Sequence, residues 1–394
     1  MPTLVFVSGF APSEIGHGGN HRTFQILHDL ESIVGKEQVA LVNYRQWRQS
    51  HPLSPAADIA RRVRLRLGYY AENPLKYFAF NSYSPRGYSD HDFLIYYEDL
   101  VCQSKPPIVS VIEHTTFGAL AAINLKHHIP TIICPQNLES LDAGASYSTF
   151  KRRLTAQVTT TDLINEINFL AQCDERLFIS RVEAGLVGGW GLPSRYYPYL
   201  PVGAIRERLV QIRQERAKGQ IERDLFLMLG SMGHLTTRDS FAWFVANARS
   251  HRLPQVRIVV GGGKTDDLLP RGTTVEGLEL RGWLEQGVLD DLLARAQAVL
   301  LPQLLGFGSP TRIAEMACAG VPVLVSRQAT FSLDLPPGVD TVEDSWDAWS
   351  GKIVEVSGRS GQSSSTYEEY LAWERAQPRT LEMIVQSHLV PSAL

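Results

Sequence analysis

The stretch Val299–Ser326, VLLPQLLGFGSPTRIAEMACAGVPVLVS, decides the fold. Its apolar start, Val299–Leu301, is typical of a buried parallel strand. A glycine-containing turn follows, and a short helix is expected over about 311–319, because a glycine and a Val-Pro pair come directly after it. A second apolar run then completes the order strand, turn, helix, strand. This order predicts a βαβ unit of a parallel sheet.

The turn before this helix is suited to a ligand that carries phosphate. Glycines allow the backbone to approach a ligand closely, and the N–H groups and positive dipole end of a helix start attract a diphosphate. The residues of the turn are Gly306, Gly308, Ser309, Pro310 and Thr311.

Arg312 and Glu315 stand three residues apart and therefore share one face of the predicted helix. A guanidinium group there can neutralise a phosphate, and a carboxylate one turn later can accept two hydrogen bonds from vicinal ribose hydroxyls. The alternative reading of these residues alone is an ordinary surface Arg–Glu pair after a common glycine turn.

The alternation of strand and helix extends over the rest of the chain and predicts an α/β protein with two doubly wound sheets. In the first half, a glycine turn and a helix follow the first strand, at 16–20 and 22–30. The second half is expected to begin with a long, solvated polar helix over 205–223. The strands are expected at 3–9, 39–42, 108–112, 131–134, 176–180, 225–229, 256–260, 278–281, 298–301 and 321–325.

The boundary between the two halves is expected near residue 203. The predicted domains are residues 1–203, residues 204–365 and a helical tail, 366–394, which could cross back to the first domain. Within the tail, helices are expected over 366–375 and 380–388.

The composition excludes several classes of protein. The chain has 394 residues, 44% hydrophobic and 20% charged, with a formal net charge of −3. A disordered chain would be less apolar and more highly charged, and a sequence-independent nucleic-acid binder usually has a basic domain. The scattered cysteines predict reduced, buried thiols without disulfides or structural zinc. A signal peptide and an apolar run of about 18 residues are not evident, which favours a cytoplasmic location.

The segment Arg45–Phe78 differs in charge from the rest of the chain. Seven Arg and Lys residues stand against Asp58 and Glu72, with Tyr and Phe residues beside them. One interpretation is an exposed helix with a solvated, charged face. The other is a patch that binds an anionic acceptor or membrane headgroups, which would place the protein peripherally at the cytoplasmic face of a membrane.

The sequence GFGSPTRIAEMACAGVPV (306–323) resembles the donor-binding motif of family 4 glycosyltransferases, which have the GT-B fold. In one common variant of that motif, Gly-x-Gly is followed by a basic residue, a Glu, an Ala-rich helix and Gly-x-Pro-Val. Further matches occur in the family's order over most of the chain. They are Gly18-Gly19-Asn20-His21-Arg22, Gln136-Asn137-Leu138-Glu139-Ser140, the stretch 178–184 and the Pro-rich approach to the linker at 197–202.

The resemblance implies a retaining transferase that moves a sugar from a nucleoside-diphosphate sugar to an acceptor hydroxyl of a glycan, lipid or small metabolite. It implies no metal and no cofactor beyond the donor, in two Rossmann-like domains that face a central cleft. It implies that Arg312 holds the diphosphate, Glu315 the ribose, and that His114 lies near the reacting face of the donor sugar. For His114, the alternative is a hydrogen-bonded structural residue at a strand end.

The other donor-binding residues follow from the same resemblance. Gly18 and Gly19 would let the first loop approach the phosphates, and the backbone N–H groups of Gly308 to Thr311 would meet the donor sugar or its phosphates. Gly282 and Trp283 match the place where the family positions the base, although Trp283 could equally be plain core.

Two positions depart from the family pattern. Leu305 stands where many relatives carry a Glu that contacts the donor sugar, and Ser231 stands where an Arg is frequent. Arg238 or Lys264 could supply the missing charge. These departures favour one alternative, a non-catalytic GT-B-like binding protein, and a second alternative is an epimerase or hydrolase of nucleotide sugars with the same fold.

Asp90-His91-Asp92 has the D-x-D spacing with which GT-A glycosyltransferases hold a metal-bound nucleotide sugar. The surrounding segment is rich in Ser, Tyr and Pro and is expected to be a loop, where aspartates are usually turn formers. No metal site is therefore expected at this motif.

Overall fold

The apolar strands of the chain form two separate parallel sheets, one in each of two structural units of the computed structural model. Unit 1 comprises Met1–Pro198, Phe307–Ser309 and Pro378–Leu394, and unit 2 comprises Tyr199–Gly306 and Pro310–Gln377. The residues that the structure describes are 3–52, 56, 59–60, 63, 91–103, 108–145, 152–251, 253, 255–270, 272–304, 306–359 and 365–389.

The sheet of unit 1 has the strand order β2-β1-β3-β4-β5-β6, and its strands are parallel. The strand β1 lies inside the sheet, and all five of its residues are buried, because its side chains are apolar on both faces. The strands are β1 (Leu4–Ser8), β2 (Val39–Asn43), β3 (Val109–Ile112), β4 (Thr131–Ile133), β5 (Glu175–Phe178) and β6 (Arg195–Tyr196).

The helices of unit 1 follow its strands along the chain. They are α1 (Gly18–Val34), α2 (Tyr44–Ser50), α3 (His91–Gln103), α4 (Gly118–Lys126), α5 (Glu139–Ala145), α6 (Arg152–Leu170), α7 (Arg181–Gly189) and, from the end of the chain, α15 (Thr380–Leu389). Buried residues of α1 and α15 pack with those of β1 in one core cluster, so the last helix of the chain lies against the first sheet.

The sheet of unit 2 has the order β12-β11-β10-β7-β8-β9 and is also parallel. Its strands are β7 (Glu222–Leu229), β8 (Arg257–Gly261), β9 (Leu278–Gly282), β10 (Ala296–Leu301), β11 (Val323–Ser326) and β12 (Val339–Val342). Its helices are α8 (Gly203–Ala217), α9 (Leu235–Ser250), α10 (Gln286–Arg295), α11 (Thr311–Ala319), α12 (Arg327–Thr330), α13 (Trp346–Ser357) and α14 (Tyr367–Arg375).

Two expected helices have different bounds in the structure. The helix α1 begins at Gly18 rather than at Arg22, because His17 acts as its N-cap and accepts a hydrogen bond from the Gly19 N–H group. The helix α8 ends at Ala217 rather than extending to residue 223, and Gly219 follows with a φ of +81°. Gly18 and Gly19 therefore lie in the first turn of a helix and not in a preceding loop.

The expectation that α8 is a solvated helix is wrong for one of its faces. Ile205, Leu209 and Ile212 are buried, and Arg216 is only 3% exposed. The guanidinium group of Arg216 donates to the carbonyl groups of Leu293 and Ala296 at 2.7 Å each, which explains how this charged side chain is accommodated.

Several sequence-based expectations fall wholly or partly on residues outside the described ones. Of the basic side chains in the segment Arg45–Phe78, Arg45 and Arg48 lie in or beside α2, and the remainder lie outside the described residues, as does Leu305. The loop predicted around Asp90-His91-Asp92 is wrong at its end, since α3 begins at His91 and contains Asp92.

The four cysteines carry free thiols, and three of them are buried as expected. Cys102 is exposed, which contradicts the expectation for that residue. Among the described residues, no helix is both long enough and apolar enough to cross a membrane.

Candidate functional site

The start of α11 brings together the residues predicted to bind a diphosphate. The strand β10 is buried along its whole length and delivers the chain to this turn. Gly306 has a φ of +119° and Gly308 a φ of +80°, which is why the turn requires glycine at both positions. Pro310 occupies the N-cap and makes no side-chain hydrogen bond to the helix, and α11 ends at Gly320 in the left-handed conformation.

Arg312 and Glu315 lie on one face of α11, with Nε of Arg312 4.0 Å from Oε2 of Glu315. The two side chains differ in exposure, at 24% for Arg312 and 2% for Glu315. Glu315 is therefore buried in this structure, whereas Arg312 is partly exposed, and a buried carboxylate does not fit the alternative of an ordinary surface Arg–Glu pair. The hydroxyl group of Tyr199 donates a hydrogen bond to Oε1 of Glu315 at 3.1 Å, within unit 2.

Three further loops lie at the same carboxyl edge of the second sheet, where open parallel sheets usually bind ligands. They follow β7 at Gly230–Gly233, β8 at Gly262–Lys264 and β9 at Trp283. The loops are joined by backbone hydrogen bonds, since the N–H group of Met232 donates to Gly263 at 2.9 Å and that of Gly262 to Gly282 at 2.7 Å. Gly262 has a φ of +133°, and a Cβ atom there would lie 1.8 Å from the carbonyl oxygen of Gly230.

Lys264 and Arg238, the two residues that could supply a positive charge in place of Ser231, lie in different elements of unit 2. Lys264 is exposed and has a φ of +63°, a strained conformation for a residue with a side chain. Arg238 lies in α9 and pairs with Asp239 at 3.1 Å. Ser231 accepts a hydrogen bond from the Gly233 N–H group at 3.2 Å, so it shapes the turn instead of presenting a charge.

Trp283 is 67% exposed, which excludes the alternative that it is plain core. It follows β9 directly, at the carboxyl edge of the sheet in unit 2. An indole side chain left in water at this edge offers a flat apolar surface on which a base could stack.

In unit 1, the structure places His114 among carboxylates just after β3. Its Nδ1 atom lies 3.2 Å from Oε1 of Glu139, and its Nε2 atom lies 3.7 Å from Oε2 of Glu113. The ring of Phe10 meets the imidazole edge to face at 5.1 Å between centroids. These contacts are compatible with both interpretations of His114: a residue near the donor sugar, and a hydrogen-bonded structural residue at a strand end.

Burial and the neighbouring charges shift two pKa values here. Burial alone would lower the pKa of His114, but the hydrogen bond to Glu139 and the charges of Glu113 and Glu139 outweigh it, so this pKa lies above its usual value. Burial raises the pKa of Glu113, against the opposing effects of His114, Thr23 and Gln136. The hydroxyl of Thr23 donates to Oε1 of Glu113 at 2.5 Å, and the amide of Gln136 donates to the same atom at 2.8 Å.

Gly18 and Gly19 are closely packed at the start of α1. The N–H group of Gly19 donates to Nδ1 of His17 at 3.1 Å, and its carbonyl group accepts from Gln136 at 3.2 Å. A Cβ atom on Gly19 would lie 2.8 Å from the His17 ring, so a larger residue would displace the side chain of His17. The amide of Gly19 is engaged within the protein in this structure.

Besides Glu113, sequence analysis assigned no role to two further buried acids of unit 1. Glu166 accepts hydrogen bonds from Thr115 at 2.6 Å and from the Glu139 N–H group at 2.9 Å. Glu183 accepts from the N–H groups of Leu138 and Gly308, the latter at 3.1 Å. The Ser180-x-x-Glu183 spacing is a helix-start signal that could have indicated the second of them, since Ser180 caps α7.

Among the described residues, no group of three or more His, Cys, Asp or Glu side chains is arranged to hold a metal ion.

A family match in the second half of the chain adds to these observations. Residues 223–356 match the family described as Glycosyl transferases group 1. The match spans most of the second sheet and includes Arg312 and Glu315. A search of curated protein sequences finds no significant match.

Solved structures resemble the chain over nearly its full length. Sucrose-phosphate synthase from Thermosynechococcus elongatus has a TM-score of 0.62 at 13% identity, covering 98% of this chain and 99% of that one. The chain has the GT-B fold. A UDP-forming α,α-trehalose-phosphate synthase from Burkholderia xenovorans has a TM-score of 0.58 at 11% identity, covering 100% of both chains. Anabaena HepE in complex with UDP and glucose has a TM-score of 0.56 at 10% identity, also covering 100% of both chains.

The GT-B fold confirms the expectation of an α/β chain with two Rossmann-like sheets. Sequence identities this low establish the fold and leave the individual site residues as predictions. The family match supports a glycosyltransferase activity, because it covers the stretch 306–323 that resembles the donor-binding motif.

Proposed function

We propose that this chain is a glycosyltransferase that uses a nucleoside-diphosphate sugar and that unit 2 binds the nucleoside diphosphate. The observation that carries the proposal is the start of α11, where Arg312 and Glu315 share a face directly after a turn that needs two glycines. A cation beside the positive end of a helix binds a diphosphate, and a carboxylate one turn later suits ribose hydroxyls.

In the proposed reaction, the bond between the anomeric carbon and the diphosphate oxygen breaks, and a bond to the acceptor oxygen forms. Negative charge then develops on the leaving diphosphate. Arg312 and the N–H groups at the start of α11 would stabilise that charge. Because these groups are already in position, the activation free energy of the transfer is lowered without rearrangement of the protein. The acceptor proton would pass to the departing phosphate. We propose retention of configuration and independence of metal ions, as the resemblance to family 4 implies.

The choice of the first donor to test follows from the related structures. One is of a UDP-forming enzyme and another contains UDP and glucose. Exposed Trp283 is the residue that we propose stacks on the base. The acceptor stays open among glycans, lipids and small metabolites. Contact of Arg45–Phe78 with an anionic acceptor or a membrane also stays a prediction, since most of that segment lies outside the described residues.

Ligand binding provides the first test. UDP, ADP and GDP should each be added to the protein, and the cognate one should raise its melting temperature through binding to the folded state. EDTA should leave the shift unchanged. Absence of a shift with all three nucleotides would contradict the proposed function.

Turnover separates the proposal from its alternatives. The protein should be incubated with a panel of nucleotide sugars, with and without a mixture of acceptors, while release of nucleoside diphosphate is measured and products are identified by mass spectrometry. Release that depends on an acceptor supports a transferase. Release without an acceptor indicates a hydrolase, an epimerised donor indicates an epimerase, and binding without turnover indicates a binding protein.

A further inference from the structure

Tyr199 is the first residue of unit 2, and its side chain is directed onto the middle of α11. Its hydroxyl group lies 3.1 Å from Oε1 of Glu315, and only 5% of Tyr199 is exposed. Glu315 is also almost fully buried, at 1% exposure. A buried carboxylate needs hydrogen-bond donors to offset the loss of water, and the phenol supplies one.

The phenol group of Tyr199 is a permanent donor in this environment. Burial, and then the negative charge of Glu315, raises the pKa of Tyr199 well above its usual value, while Arg312 and Arg208 oppose the shift. The phenol therefore keeps its proton at every pH at which the protein is handled. Its hydrogen can be donated to the carboxylate, and the carboxylate cannot turn without losing that bond.

The carboxyl-terminal end of α11 is held by Arg213, a residue of α8. The guanidinium group of Arg213 donates to the carbonyl group of Cys318 at 2.8 Å and to that of Ala317. These bonds fix where the helix lies, but they do not fix the rotation of the Glu315 side chain. Tyr199 holds the Oε1 atom of that carboxylate at 3.1 Å, while Arg312 lies 4.0 Å from its Oε2 atom.

We propose that Tyr199 is a positioning residue of the donor site: it orients the Glu315 carboxylate to accept the ribose hydroxyls of a nucleoside diphosphate. The inference rests on the proposed function of unit 2. Each carboxylate oxygen can accept two hydrogen bonds, so a bond from Tyr199 leaves acceptor capacity for a ligand. Prior orientation means that the ligand does not have to order the side chain when it binds.

The test compares two tyrosines that make the same kind of bond. Tyr199→Phe removes the hydroxyl that faces Glu315, whereas Tyr370→Phe removes a buried hydroxyl that donates to Glu374 at 3.2 Å in the same unit. Calorimetry should measure the affinity of each variant for UDP, ADP and GDP, and for the corresponding 2′,3′-dideoxy nucleotides. The ratio of the two affinities reports only on contacts to the ribose hydroxyls.

Tyr199→Phe should reduce the affinity for the ribose form roughly tenfold, the size of one lost hydrogen bond, and leave the dideoxy form nearly unchanged, so that the ratio falls. Tyr370→Phe should leave the ratio at the wild-type value even if it lowers the melting temperature. An unchanged ratio in Tyr199→Phe would overturn the inference, and so would an equal fall in both variants.

A second measurement separates this inference from the proposed function. Melting temperatures of Tyr199→Phe, Glu315→Gln and the double variant form a double-mutant cycle that needs no ligand. Coupling between the two changes supports the orienting bond, and additivity overturns it. If the wild type binds none of the nucleotides, the proposed function and the ribose role both fail, while the cycle still decides whether Tyr199 holds Glu315.

Discussion

The Nδ1 atom of His114 lies 3.2 Å from Oε1 of Glu139, and this hydrogen bond raises the pKa of a buried imidazole. Without it, burial would favour the neutral ring. With it, and with Glu113 on the other side at 3.7 Å, the protonated ring is favoured. Arg45 is the charged group that opposes protonation. The contacts with the two carboxylates therefore stabilise the protonated form of His114 and raise its pKa.

We predict that Glu139→Gln lowers the pKa of His114, because the amide removes the hydrogen bond to a charged acceptor and leaves burial as the larger effect. NMR titration of the histidine ring nitrogens would measure the change. His28 provides an internal control, since its raised pKa depends mainly on the hydrogen bond to Asp29 and should not move. A His114 pKa that is unchanged in the variant would show that Glu139 is not responsible.

The same bond predicts the pH dependence of stability. The folded-state pKa of His114 is raised, so its contribution to the free energy of unfolding is fully present below the unfolded value of about 6.5. That contribution is lost as the pH rises through the folded-state pKa. The loss of stability in Glu139→Gln should therefore be larger at pH 6 than at pH 9, as measured by calorimetry. An equal loss at both pH values would contradict this sign.

Arg312 is predicted to act on the diphosphate rather than on the fold. Arg312→Ala should lower turnover by about 10²-fold, the effect of removing one group that stabilises developing charge. Arg312→Lys should recover part of the activity, because an ammonium group does not bind phosphate through a planar fork. Steady-state kinetics with a donor selected from the panel of nucleotide sugars would measure both variants.

The control for Arg312 is Arg327→Ala. Arg327 lies in the same unit, is 58% exposed and pairs with Glu343 at 3.2 Å. This variant should keep wild-type turnover and melting temperature. If Arg312→Ala also kept full activity, the role assigned to Arg312 would be wrong.

The sequence predicted the sheets well where strands are apolar on both faces. The strands β1, β8 and β10 were found within one or two residues, because each contains a continuous apolar run, which leaves few alternatives. The strands β6 and β12 were not predicted. The first has two residues, and the second, Val339–Val342, lies at the edge of its sheet with Asp340 and Thr341 between its two valines, so neither gives a run of that kind.

The local sequence also predicted that Arg312 and Glu315 share a face, because spacing within a helix fixes it. It did not predict that Glu315 is buried. That property arises from tertiary packing, and one residue in contact with Glu315 is Tyr199, which lies 116 residues earlier in the chain. The buried acids Glu113 and Glu166 were missed for the same reason, since their partners come from distant segments such as Thr23 and Thr115.

Gly262 is predicted to be essential for the loops at the carboxyl edge of the second sheet. Gly262→Ala would place a Cβ atom 1.8 Å from the Gly230 carbonyl oxygen at a φ of +133°. We expect a loss of at least about 3 kcal/mol in the free energy of unfolding of unit 2, since strained backbone and backbone displacement add. Gly351→Ala, in the exposed part of α13 with open space around it, should instead stabilise the unit by about 0.5–1 kcal/mol. Calorimetry of both variants would test this, and equal effects would contradict it.

The buried carboxyl group of Glu183 predicts a second pH dependence of stability. Its pKa is shifted upwards, whereas the pKa of an ion-paired acid on the surface is shifted downwards. Burial raises its pKa to about 8, against the opposing hydrogen bonds from the N–H groups of Leu138 and Gly308. Between the usual value of 4.5 and this one, the folded protein holds the proton more tightly than the unfolded chain does. The free energy of unfolding must therefore fall as the pH rises through this window.

Glu183→Gln removes this titration and should be compared with the wild type across the pH range. The free energy of unfolding of the variant, relative to that of the wild type, should increase between about pH 5 and pH 8. The altered hydrogen bonds of the amide add a difference that does not depend on pH and does not affect this trend. Glu355→Gln is the control, because Glu355 lies on the surface and its pKa is lowered by hydrogen bonds from Lys352 and Arg359. Its relative stability should not increase over the same range. A wild-type minus Glu183→Gln difference that stays constant from pH 5 to pH 8 would show that Glu183 is already ionised at the lower pH.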